Sequence, residues 1–262
     1  MVGGHISRQF DQELDEIRSR VLKMGGLVEM QLDKTIEALR SGDSSDIKDV
    51  EKLDKKVNKL EVRIDEECTQ ILAKRQPAAG DLRMIIATTK SVRDLERIGD
   101  EAERVATMVR HAIDVETASS SFKGLLSLGE KVKELLHDTL NTYARMETRS
   151  AVKNMRKDHD IDDEYARVVI RLVDEMKADP NNISGALDVM WAARSLERIG
   201  DHCINICENV IYLVEGEDVR HTKLDVISEQ LKDWQHCCIK LAMCLDCSLI
   251  ASSRCNSVQA GQ

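Results

Sequence analysis

The chain has 262 residues, of which 42% are apolar, 32% charged and only 3% aromatic, with two prolines. That is enough apolar material for a core and too few aromatic and turn residues for a sandwich or barrel, so an all-β fold and wholesale disorder are both excluded. With 38 basic against 47 acidic residues the net charge is −9, no Lys/Arg run occurs, and nucleic acid is not an expected partner.

Apolar spacing predicts a first helix from about Ser7 to Arg40, with Phe10, Leu14, Ile17, Val21, Met24, Val28, Leu32 and Leu39 inward. Ser41 to Ser45 is a turn. A second helix carries Val50, Leu53, Val57, Leu60, Ile64 and Ile71 and stops at Gln76-Pro77. The third runs from the link Pro77–Asp81, with Asp81 as expected N-cap, to about Val115. Thr117 to Ser121 reads as a linker. Three more helices follow, at about Phe122–Met146, Thr148–Lys177 and Asn182–Val214, with Asp179-Pro180-Asn181-Asn182 between the last two. Helices this long, joined by short turns, predict an all-α fold built of bundles.

The chain also repeats itself. Leu95-Glu96-Arg97-Ile98-Gly99-Asp100 recurs as Leu196-Glu197-Arg198-Ile199-Gly200-Asp201, 101 positions later, and Arg93 matches Arg194 at the same offset. The expected fold is therefore two tandem antiparallel three-helix bundles related by internal duplication, with 1–116 as the first, 117–221 as the second and 222–262 as an atypical tail.

In the second copy Val189, Ala192, Leu196, Ile199, Cys203, Ile206, Val210 and Leu213 form a seam stepping by three and four. In the first, the seam is Val92, Leu95, Ile98, Ala102, Val105 and Val109. Glu197 and Asp201, like Glu96 and Asp100, lie one turn apart and off the seam, so both pairs are expected to face outward. The preceding helix of each half adds Asp158 and Asp162, and Asp54 with Asn58. Paired carboxylates repel unless a cation lies between them, and a hard ion accepts oxygen ligands at this spacing. A solvated acidic face accounts for the same residues, so both readings stand. Gly99 and Gly200 each cost about 1 kcal/mol relative to Ala in a helix, and close helix packing or room beside the acids would each explain them.

Cys203 and Cys207 are expected to be buried thiols of a reduced cytosolic protein. Cys237, Cys238, Cys244, Cys247 and Cys255 crowd the tail with His236, but no second CxxC completes a zinc set; a non-homologous extension is the preferred reading. Glu134-Leu135-Leu136-His137 is the one Glu-x-x-His motif, short of the two that an inward di-iron site needs. No nucleophile–base pair or phosphate-cradling glycine loop stands out, so no enzymatic activity is expected.

The duplicated Leu-Glu-Arg-Ile-Gly-Asp, with Ile64-Asp65-Glu66-Glu67-Cys68, Gln76 to Arg83 and Asn209 to His221, resembles the PhoU family from about Ile6 to His221. The resemblance implies a cytoplasmic homodimer that keeps the phosphate-starvation regulon off and modulates phosphate uptake. It would link the ATPase subunit of the phosphate ABC transporter to the phosphate-sensing histidine kinase, reaching the membrane only through these partners. The resemblance also implies surface iron or zinc ions on Asp158, Asp162, Glu197 and Asp201, and on Asp54, Glu96 and Asp100, with Asn58 standing where a full acidic motif has Asp. The alternative is a metal-binding carboxylate helical bundle with another role.

Overall fold

The computed structural model of the protein describes residues 8–43, 47–115 and 119–231. Six long helices follow in order: α1 Arg8–Ser41, α2 Ile47–Arg75, α3 Ala79–Asp114, α4 Ser119–Arg145, α5 Thr148–Ala178 and α6 Ile183–Glu215. A 3-10 turn, Pro180–Asn182, leads into α6, and the Asp179 side chain caps it through the Asn181 amide. Residues 8–115 supply one three-helix set and 119–221 the other, both within one compact unit that reaches His221. Residues 222–231 belong to a second unit, in which 224–231 are helical.

Two expected boundaries shift. Asp81 is not the N-cap: α3 begins at Ala79, Ala78 occupies the cap position without a side-chain bond, and Asp81 lies in the first turn. There its charge still complements the helix dipole. Ser119 to Ser121 are not linker but open α4, because helical pairing of the backbone outweighs the weak helix preference of serine. Thr117 and Ala118 lie outside the described residues, as do the tail cysteines and His236.

The seams are buried from Val92 to Val109 in α3 and from Val189 to Val210 in α6, while Leu213, the last residue expected in the second seam, is only half-buried. They are not separate cores. One apolar cluster runs through both halves, joining Met24, Leu32 and Ile36 of α1 to Leu128 and Leu135 of α4 and Leu196 of α6. Gly25 and Gly129 allow α1 and α4 to approach: a Cβ on either would strike Leu140 or Ile36. Burying each large aliphatic side chain contributes about 1.5–3 kcal/mol, so this continuous cluster is what makes residues 8–221 one body.

The halves meet chiefly along α3 and α6. Arg198 pairs with Glu101 at 2.7 Å, and His202 with Asp94 at 3.0 Å. As the α6 number rises the α3 number falls, so the two helices are antiparallel. Extending that register sets Gly99 level with Gly200. The repeated hexapeptide therefore sits at the pseudo-twofold crossing of the molecule.

Candidate functional site: two carboxylate clusters

Each half carries one acidic cluster, held between its last two helices. In the second half α5 brings Asp158 and Asp162 beside Glu197 and Asp201 of α6. The approach does not require Gly200: a Cβ there would stand 3.4 Å from Asp158 Oδ1 and 3.5 Å from Ile161, both ordinary contact distances.

The acids do not simply face outward. Asp162 and Asp201 are exposed, but the Glu197 side chain retains only 12% of its accessibility and Asp158 is half-buried. Burial raises the Asp158 carboxyl first, and Asp162, Asp201 and Glu197 add repulsion, pushing it up to about 6. Burial and then Asp201 raise Glu197, while Arg194 opposes the shift. Asp201 is raised by burial as well. Arg194 bonds Glu197 Oε1 and lies 6.0 Å from the Tyr165 ring centroid. Glu197 Oε2 is buried and has no hydrogen-bond partner.

The first half is built differently. Asp54 is buried, 6% exposed, and amides occupy both of its oxygens: Asn58 Nδ2 donates at 2.9 Å and Gln31 Nε2 at 3.4 Å. Gln31 comes from α1, in the gap above Gly99, where a Cβ would stand 3.1 Å from its Oε1. Glu96 is 19% exposed in its side chain. It is raised by burial and then by Asp100 and Glu61; Asp100 is raised by burial and then Asp54. Gln31 Oε1 and Asn58 Oδ1 are buried acceptors without partners.

The structure therefore brings Asp158, Asp162, Glu197 and Asp201 together in one half, and Asp54, Glu96 and Asp100 in the other. The outward reading of Glu96 and Glu197 is corrected: heptad position marks a side of the helix, and the neighbouring helix covers that side. All donors are oxygens, and each cluster contains buried oxygens lacking a donor, which is the chemistry a hard cation satisfies. In the arrangement described, no three His, Cys, Asp or Glu side chains converge tightly enough to hold a metal ion among the described residues.

Several participants had little signal in the sequence. Gln31 lies two helices from the hexapeptide in the chain. Glu61 and Glu103, both raised by burial and neighbouring acids, are recognisable only once the helix faces are known. Glu101 is 2% exposed and accepts from Arg198 and, at 3.2 Å, Arg104. It follows Asp100 directly and looks in sequence like one more surface acid. His137 is no inward ligand: its Nδ1 lies 2.6 Å from Glu29, and Glu134 binds Lys157. Cys203 and Cys207 are fully buried thiols; burial lifts Cys207 to about 12 and Cys203 well above its ordinary value.

No described helix is long and apolar enough to cross a membrane. The PhoU domain model matches residues 21–109 and again 125–210. The chain is 47% identical over 231 residues to a phosphate-specific transport system accessory protein PhoU homolog of Pseudomonas putida, covering 87% of this chain and 89% of that one. It is 43% identical to the phosphate-specific transport system accessory protein PhoU of Escherichia coli K12, over 87% and 94%. The crystal structure of PhoU from Pseudomonas aeruginosa superposes with a TM-score of 0.77 at 44% identity, covering 79% of this chain and all of that one. The Streptococcus pneumoniae phosphate transport system regulatory protein PhoU gives 0.74 at 30% identity, over 80% and 99%. Two matched repeats and near-full-length relatives place the chain in the PhoU family, a family of phosphate-transport accessory proteins rather than of enzymes.

Proposed function

We propose that the protein is a cytoplasmic negative regulator of the phosphate-starvation regulon and a modulator of phosphate uptake. It acts as a homodimeric adaptor between the ATPase subunit of the phosphate ABC transporter and the phosphate-sensing histidine kinase. The observation that carries this reading is near-full-length similarity to accessory proteins of phosphate-specific transport. Residues 1–116 and 117–221 are its two repeats, 222–262 an appended tail, and its signal passes by docking and population shift rather than by chemistry.

The test is an alkaline phosphatase reporter in a phosphate-replete bacterium lacking its own homologue. Expression of residues 1–262 should restore repression. Persistent derepression by a soluble, folded chain, repeated with residues 1–227, would overturn the reading.

A second reading concerns the acids, and the partnerless Oε2 of Glu197 favours it. Asp158, Asp162, Glu197 and Asp201 would hold a surface iron or zinc ion after small side-chain rotations; Asp54, Glu96 and Asp100 would form the lesser site. The bound ion would supply positive charge and fix the α5–α6 face for docking. Glu197→Ala with Asp201→Ala should then leave the fold intact and alter repression; unchanged repression at normal expression would remove the metal from the regulatory account.

A further inference from the structure

Beside the α3–α6 crossing, on the side of the first half, lies a groove of about 430 Å³. That volume is in the range of small-molecule sites. Lys90 and Arg93 of α3 enter it from one wall, and Arg220, just beyond α6, from another. Thr89 and Asn209 contribute hydrogen-bonding groups between them.

Two of the cations, Arg220 and Lys90, are held in place. Gly216 ends α6 with φ 85°, a left-handed turn that folds the following residues back. Asp218 then grips Arg220 with both oxygens, at 2.9 and 2.5 Å, which draws the Asp218 carboxyl down to about 2. This leaves the rest of the guanidinium fork free. The Lys90 ammonium stands 5.1 Å from the Tyr212 ring centroid. A preorganised cation loses less freedom when an anion arrives.

Three carboxylates also line the groove, and two are already spoken for. Asp94 accepts from Asn205 at 3.0 Å and faces His202 Nδ1 at 3.0 Å. Burial, with Asp218 adding repulsion, pushes Glu208 up to about 7, so near neutrality it is often a proton donor. Asp65 of α2 is the third.

The duplication provides an independent control. By the offset of 101, Thr89, Lys90 and Asn209 correspond to Met190, Trp191 and Met108 in the other half. At these three positions the other half is apolar, with Trp191 63% exposed, although Arg194 and Arg104 stand where the groove has Arg93 and Asn205. The shared helix architecture therefore demands neither lysine nor amide at these three positions, whereas the arginine is common to both halves.

We propose that this groove binds a phosphoryl anion, either free orthophosphate or the phosphate end of a small nucleotide. Lys90, Arg93 and Arg220 counter its charge, and Thr89 and Asn209 hydrogen-bond its oxygens. The inference goes beyond the adaptor reading by giving the regulator a small-molecule input.

Calorimetric titration of the full chain with orthophosphate and, separately, with AMP and ATP in a phosphate-free buffer tests it, with sulfate as comparison. Saturable one-site binding of at least one probe, preferred over sulfate, is expected, with orthophosphate or nucleotide binding identifying the source. Lys90→Met and Arg220→Gln should each weaken it tenfold or more, while exposed Lys59→Met leaves it unchanged. Arg93→Gln, at an exposed position, keeps the test decisive if either other variant misfolds. Absence of saturable binding by the folded chain, equal affinity for sulfate, or binding unaffected by these variants overturns the proposal. Binding without reporter repression would sink the adaptor reading and leave the groove standing; repression without binding would do the reverse.

Discussion

The two halves share a hexapeptide, a helix order and a crossing point, yet they settle their carboxylates in opposite ways. In the first, Gln31 and Asn58 donate amide hydrogens to Asp54, so its charge is met inside the protein. In the second, Asp162 takes the place of Asn58, and Asp158 faces Asp162, Asp201 and Glu197. Two amides, Gln31 and Asn58, thus meet Asp54 in the first half, while Glu96 and Asp100 there stay raised by burial and neighbouring acids, as the second-half acids do. Duplication preserved the scaffold and left the chemistry free to diverge.

A divalent cation should break the symmetry most. Adding Mn²⁺ to chelator-treated protein at about a hundred times its Kd is expected to stabilise the fold by roughly 2.7 kcal/mol, read as a rise in Tm. Glu197→Gln with Asp201→Asn should abolish most of that rise, and Asp54→Asn much less. Equal responses from wild type and the second-half variant would mean the acids are merely solvated. Conversely, Asn58→Asp should make the first half respond as the second does.

The next effect is on pH dependence. Burial and the neighbouring acids push the Asp158 carboxyl up to about 6 from the ordinary 3.8 of an aspartate, so its penalty is complete above pH 6. The penalty is relieved as pH falls through 6 toward 3.8, because the folded chain binds the proton first. Stability of the metal-free protein should therefore rise on acidification from pH 7 to 5. This group contributes at most about 3 kcal/mol, less after solvent screening. Urea titrations should give Asp158→Asn a flatter profile; matching slopes would show that Asp158 is not perturbed.

The glycines give the smallest contrast. Gly200→Ala meets its neighbours at ordinary contact distance and should gain up to about 1 kcal/mol of helix propensity. Gly99→Ala meets Gln31 Oε1 at 3.1 Å and should gain less or lose stability. Paired thermal melts decide it, and an equal gain in both would mean that Gln31 yields freely.

Periodicity made the helices legible because a buried seam must recur every three or four residues: Val92 to Val109 and Val189 to Val210 lie where spacing puts them. The repeat made Glu96, Asp100, Glu197 and Asp201 legible as a set. What periodicity could not convey is what a neighbouring helix places over a residue. Glu197 is off its own seam and still largely covered by α5, and Gln31 reaches Asp54 from α1, with no local pattern to announce it. Glu101 is the sharpest instance, an acid in a charged run that only the antiparallel register carries into the interior. Arg220 likewise gains its meaning from the turn at Gly216.

That register has a consequence for the molecule's origin. Cut after α3, a first repeat would bare the seam that α6 now covers, and a second copy offers the matching antiparallel surface. Arg97 of one copy would then stand where Arg198 stands now, opposite Glu101 of the other. Two second repeats would instead set Arg198 against His202. The first repeat thus carries both partners, Arg97 and Glu101, of a contact that two identical first repeats would make twice across such a crossing.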